Sequence, residues 1–171
     1  MRKLVSIALL LVLGACAGSF QHSDSSLTFT PVDLPAYESE RNIGWAASRE
    51  DYAAALADTR FVMRQFTYQS DGLTVGAYLY GPRGPGRTLA PVIVFNRGSY
   101  LRPNGFAGEM LVMARRYAEA GFIVVAPHYR GSNGWAGKDE LGGAELHDLM
   151  VLPDVIARIP GADSKRLFLA G

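Results

Sequence analysis

Between Phe61 and Gln69 apolar and polar side chains alternate, the period-two pattern of a strand with one buried face. Ser70-Asp71-Gly72 supplies a hairpin turn, and Leu73 to Tyr80 predicts the returning strand. Gly81 to Ala90 holds two prolines and three glycines and predicts a loop. The rhythm then changes. Pro91 to Phe95, Phe122 to Ala126 and Arg166 to Ala170 are short, nearly unbroken apolar runs, which predict strands buried on both faces. Helical patterns separate them. Phe106 to Ala120 places Met110, Met113, Ala114, Tyr117 and Ala118 on one stripe and stops at Gly121. Glu145 to Ile159 predicts a second helix, interrupted near Pro153. Strand–helix–strand–helix–strand with apolar strands predicts a parallel sheet with crossover helices, preceded by an antiparallel hairpin. The fold class is therefore α/β.

The stretch before residue 61 divides into three parts. Arg2-Lys3 precedes the apolar run Leu4 to Leu13, and small residues follow through Ser19, the pattern of an export signal over 1–15. The run is too short to cross a membrane. The protein's single cysteine, Cys16, stands where the apolar run ends. Leu13-Gly14-Ala15-Cys16 resembles a bacterial lipobox, which implies lipidation of Cys16 and a membrane anchor facing the periplasm. The outer membrane is favoured, because Ala17 stands where inner-membrane retention places aspartate. Ala15-Cys16-Ala17 also fits ordinary signal cleavage and a secreted, periplasmic product. Residues 16–36 are rich in Ser, Thr, Asp and Pro and predict a tether containing a solvated His22. Residues 37–60 predict a helical segment, with Ser48-Arg49-Glu50-Asp51 as a capping box.

Charge excludes one class of partner. Seventeen basic residues against sixteen acidic leave no field for nucleic acid. One cysteine permits no internal disulfide, so packing must stabilise the domain.

Two loops imitate functional motifs. Gly81-Pro82-Arg83-Gly84-Pro85-Gly86-Arg87-Thr88 has the outline of a phosphate loop. Its prolines lack the required N–H groups, Arg87 replaces the lysine, and a strand follows instead of a helix. Arg130-Gly131-Ser132-Asn133-Gly134 approaches G-x-S-x-G, but glycine-rich loop follows where a helix is needed, so Ser132 is expected to be a turn residue.

Four strings, in order, resemble the α/β-hydrolase domain of the prolyl oligopeptidase family over residues 61–171. They are Phe95-Asn96-Arg97-Gly98-Ser99, Pro127 to Gly134, Gly137 to Gly143 with Asp148 on the following helix, and Ala162-Asp163-Ser164-Lys165-Arg166-Leu167-Phe168-Leu169-Ala170-Gly171. The last is similar to the approach to a nucleophile elbow, with Gly171 as its first glycine. The resemblance implies an exported serine hydrolase acting on peptide or other acyl bonds, with no metal or other cofactor. It also implies chain order Ser, Asp, His, all beyond Gly171, so that no catalytic residue lies within the 171 residues and they form an inactive fragment. An apolar edge left on the last strand would then make those residues prone to aggregate. His128 and His147 are expected to be structural or surface residues. The turn Asn96-Arg97-Gly98 is the candidate for the oxyanion side, where members often carry His-Gly-Gly or Tyr-Gly-Gly. Asn96 could donate through its side-chain amide, and Arg97 could face a substrate carboxylate or solvent. The competing expectation is a non-catalytic, lipid-anchored binding protein built on half of a hydrolase fold. Neither the residues nor the resemblance fixes an oligomeric state.

Overall fold

The computed structural model describes residues 26–40, 43–84, 86–98 and 106–171. The signal sequence over 1–15, Cys16, His22, Pro85 and Ser99 lie outside the described residues.

Six strands form one sheet in the order β1-β2-β3-β5-β4-β6. In chain order the strands are β1 (Thr30–Pro31), β2 (Phe61–Ser70), β3 (Leu73–Pro82), β4 (Ala90–Phe95), β5 (Ile123–Pro127) and β6 (Ala162–Ala170). β2 and β3 pair antiparallel along their whole length, from Phe61↔Pro82 to Ser70↔Leu73. Asp71 and Gly72 both have positive φ, 49° and 75°, as a two-residue turn requires. β5 and β6 both run parallel to β4, which makes β4 the inner strand of the parallel part. β1 recruits the end of the expected tether into the sheet through Thr30↔Gln65 and Pro31↔Arg64.

Helices cover both faces. α1 (Ile43–Ala46), α2 (Arg49–Ala57) and α3 (Ala107–Glu119) pack on one face, where Tyr52, Tyr80, Ile93, Met110, Leu111 and Val124 share a core. α4 (Leu146–Met150) and α5 (Leu152–Ile156) cover the other face, where Phe66, Val75, Val92, Val125, Leu152 and Ile156 meet. The predicted break is real. Pro153 cannot donate to a carbonyl one turn back, and the helix divides at Val151.

Ser48 caps α2 as expected, its hydroxyl accepting from the Asp51 amide at 3.1 Å. α3 is capped differently. Phe106 supplies no side-chain cap, and Glu40 reaches across from the N-terminal segment to accept from Gly108 N at 2.8 Å and Glu109 N at 3.4 Å. A Cβ at Gly108 would lie 2.8 Å from the Glu40 carboxyl carbon. Glu40→Ala should therefore lower the unfolding free energy by about 1 kcal/mol, the worth of a helix cap. Gly108→Ala should destabilise the parent chain but stabilise the Glu40→Ala variant, where helix propensity acts unopposed. A double-mutant cycle by urea denaturation checks both signs.

Two expectations need correction. On α3 the buried arc runs through Ala107, Met110, Leu111, Ala114 and Ala118, while Met113 and Tyr117 are half-buried and pack against the rim of the same core. β6 is not buried on both faces, though it is the apolar edge expected of the last strand. Among the described residues it is an edge strand, with Phe168 half exposed and Leu169 76% exposed. An apolar run specifies a strand with two apolar faces, but neighbouring elements decide whether those faces are covered.

Candidate functional site

The C-terminal ends of β4, β5 and β6 converge. β4 leaves the sheet at Asn96-Arg97-Gly98, β5 at His128-Tyr129, and β6 at Gly171. Asn96 N donates to Ala170 O at 2.7 Å, so the β4 turn starts as a continuation of the β4–β6 ladder. Gly171 then passes so close that a Cβ there would lie 2.7 Å from the Asn96 carbonyl oxygen. Only glycine permits that approach.

Tyr129 fixes the other side of the turn. Its hydroxyl donates to Asn96 Oδ1 at 2.8 Å, and burial pushes the phenol up to about 12, so it stays a donor through neutral pH. The contact requires a left-handed backbone, φ 63° at Tyr129, which is uncommon for a bulky residue and is held in place here by its neighbours. The Asn96 carboxamide is thus oriented with its oxygen engaged.

Arg97 neither faces solvent nor stands ready for a substrate carboxylate. Its guanidinium is buried, forms an ion pair with Asp139, and lies over the Tyr129 ring at 4.8 Å from the centroid. This opposite charge from the 129–143 loop neutralises the Arg97 cation. Ser132 lies beneath the same carboxylate, with its Oγ 3.4 Å from Asp139 Oδ2. Its backbone closes a turn, N to Tyr129 O at 3.3 Å and O from Trp135 N at 2.9 Å. Among the described residues no imidazole is hydrogen-bonded to its hydroxyl, so Ser132 behaves as the turn residue its sequence predicts.

A buried charge centre anchors the loop. Arg130 donates from its backbone N to Asp148 Oδ2 at 2.8 Å, and from its guanidinium to Asp148 Oδ1 at 2.7 Å, Ser70 Oγ at 3.0 Å and Asp71 Oδ2 at 2.8 Å. Asp148 is fully buried. Tyr68 adds a hydrogen bond to the Asp148 carbonyl. The next residues fold around a second carboxylate, Glu145, which accepts from the amides of Glu140, Gly142 and Gly143. Burial raises the Glu145 carboxyl, but the backbone donors outweigh it and hold it down at about 2.

The two candidate histidines are structural. His128 is 1% exposed, and its Nδ1 accepts from Trp135 Nε1–H at 2.8 Å, which places the ring proton on Nε2. Burial pushes it down to about 3, so it is neutral at physiological pH. The Trp135 indole covers Gly76, where a Cβ would clash with the ring. His147 lies on α4 at the surface, paired with Asp71 at 2.7 Å.

Tyr129, Asp139, Glu145 and Gly76 take parts at this site that the sequence reading did not assign. A glycine within an apolar strand was the available signal for Gly76, since such a residue marks close approach by another group. Nothing local marks Asp139, whose partner is 42 residues away.

Two cavities flank the β4 turn. One, of about 190 Å³, lies between Asn96, Gly98, Phe106, Met110 and Gly171. The other, of about 300 Å³, lies between Gly98, Tyr129, Leu141, Leu146 and Leu149. A larger hollow of about 420 Å³, under Phe29, Phe61 and Leu111 and bordered by Asp58, Arg64 and Arg83, is remote from these groups. Among the described residues no cluster of His, Cys, Asp and Glu is arranged to hold a metal ion.

No family model and no curated protein matches the chain. Solved structures do. The esterase Est22 is 16% identical with a TM-score of 0.54, over 83% of this chain and 48% of that one. A Pyrobaculum calidifontis esterase is 19% identical with a TM-score of 0.54, over 81% and 43%. The Pyrococcus horikoshii acylaminoacyl peptidase is 24% identical with a TM-score of 0.50, over 72% and 21%. The chain spans less than half the length of each. Sheet order, crossover helices and these likenesses together establish a partial α/β-hydrolase fold.

Proposed function

We propose that this sequence supplies the oxyanion side of an exported serine hydrolase of prolyl oligopeptidase type, acting on peptide or other acyl bonds. The observation that carries the reading is the packing of Gly171 against Asn96. It sets the end of β6 beside the Arg97–Gly98 turn, so that a residue soon after Gly171 would stand next to the backbone amides of that turn. Such amides, fixed before reaction, stabilise the negative charge that develops on a carbonyl oxygen under attack. The rigid supports of the turn, from Tyr129, Asp139 and Ala170, are what preorganisation requires. The nucleophile, its base and the orienting acid lie outside the described residues, and residues 1–171 alone are inactive. Cys16 carries the lipid that anchors the protein in the cell envelope, facing the periplasm, with the outer membrane favoured.

A fluorophosphonate probe tests this directly. It is expected to label the polypeptide in which Gly171 is followed by x-S-x-G, and to leave residues 1–171 unlabelled. Labelling of residues 1–171 that disappears in Ser132→Ala would overturn the assignment. No label on either would favour a non-catalytic lipoprotein.

A further inference from the structure

The cleft on the Leu141 side of Gly98 has an unusual wall. Leu141 adopts φ 61°, a left-handed backbone that costs a leucine about 1–2 kcal/mol. Its side chain is nevertheless 64% exposed, so among the described residues burial does not offset that cost. The cause is Glu145. By taking the amides of residues 140, 142 and 143 onto one carboxylate, it curls the turn so that Leu141 stands at the cleft rim. Leu146, half exposed, and Leu149 continue the wall along α4. Strained backbone clusters at ligand-binding rims, and Leu141 stands at the rim of a cleft.

The polar groups of the cleft are all committed elsewhere. Arg97 and Asp139 neutralise each other, and the Glu145 carboxylate is turned into its own loop. The Tyr129 hydroxyl is given to Asn96. Beside these paired groups, Leu141, Leu146 and Leu149 and the backbone of Gly98 and Gly142 complete the lining. Gly98 borders both this cleft and the smaller cavity beside Gly171, so a group held here would adjoin the carbonyl placed at the β4 turn.

We propose that this cleft is the subsite for an uncharged, linear aliphatic group attached next to the scissile carbonyl, with Leu141 as its specificity residue. The proposal rests on the acyl-hydrolase reading for the meaning of the carbonyl, but its binding chemistry stands apart from catalysis. An anionic group is disfavoured, because Arg97 could meet it only by abandoning a buried partner.

Equilibrium binding to the complete polypeptide, followed by NMR titration, separates the alternatives. Hexanamide should bind at least about tenfold more tightly than adipic acid monoamide, which has the same length and a terminal carboxylate. N-acetylnorleucinamide is the third probe. If it binds more tightly than hexanamide the group is an amino-acid side chain, and if less tightly it is an acyl chain; both results support the subsite. Leu141→Asn should abolish the hexanamide preference while the melting temperature holds or rises, since asparagine tolerates left-handed φ. Leu141→Asp should weaken hexanamide binding without improving that of the monoamide, whose carboxylate it repels. Equal binding of hexanamide and the monoamide, or an unchanged preference in Leu141→Asn, would overturn the proposal. Because no step requires turnover, a missing fluorophosphonate label would reject the hydrolase reading and leave this result standing.

Discussion

Asp148→Ala is expected to lower the unfolding free energy by about 3–5 kcal/mol, the cost of stranding a buried charge. Asp148 is wholly shielded from water and receives Arg130 through both its backbone amide and its guanidinium. With the carboxylate gone, the guanidinium keeps only Ser70 and the half-exposed Asp71. A domain of this size has about 5–15 kcal/mol in hand, so the loss takes a large share of it. Urea denaturation at neutral pH measures the change. Arg130→Met combined with Asp148→Leu should cost much less than either single change, because no charge is then left unpaired. A loss below about 1 kcal/mol in Asp148→Ala would show that the pair contributes little to the loop.

The second large effect concerns acid. In the unfolded chain the His128 imidazole takes a proton near pH 6.5, the ordinary value. In the folded protein burial delays protonation to about pH 3. Between those limits the unfolded state binds more protons, so stability contributed by neutral His128 is complete above pH 6.5 and drains away as pH falls. The slope from this one group reaches about 1.4 kcal/mol per pH unit. His128→Asn keeps an acceptor for the Trp135 indole and removes the titration. Its unfolding free energy should vary little between pH 6.5 and 5, where carboxylates remain ionised, whereas the parent declines. Parallel curves for the two proteins would show that His128 is protonated in the folded state.

Much of this molecule is legible in its sequence because the signals are local. Alternation from Phe61, the Asp71-Gly72 turn and the run Val92 to Phe95 depend on neighbours within a few residues. The sheet follows from them. Arg97 was not legible in the same way: a basic residue in a turn suggests solvent or substrate, and only Asp139 decides otherwise. Leu141 is similar, since its backbone conformation comes from a carboxylate four residues on that gathers three amides at once. β6 was legible as a strand and as an apolar edge, but not in how much of it stays covered. Its composition states what its faces need, while its exposure depends on what lies beside it. Side-chain pairings across the sheet top are long-range choices, and a single sequence does not display them.

Arg130 also governs the order in which the domain can assemble. Its guanidinium bonds to Ser70 and Asp71, 60 and 59 residues earlier, and to Asp148, 18 residues later. The loop cannot take its final shape until the β2–β3 turn has formed and α4 has docked, because Arg130 needs both to lose its hydration. Closing such spans costs chain entropy before any contact repays it. The β4 turn, held through Tyr129 and Asp139 of that same loop, is therefore among the last parts of the fold to become rigid.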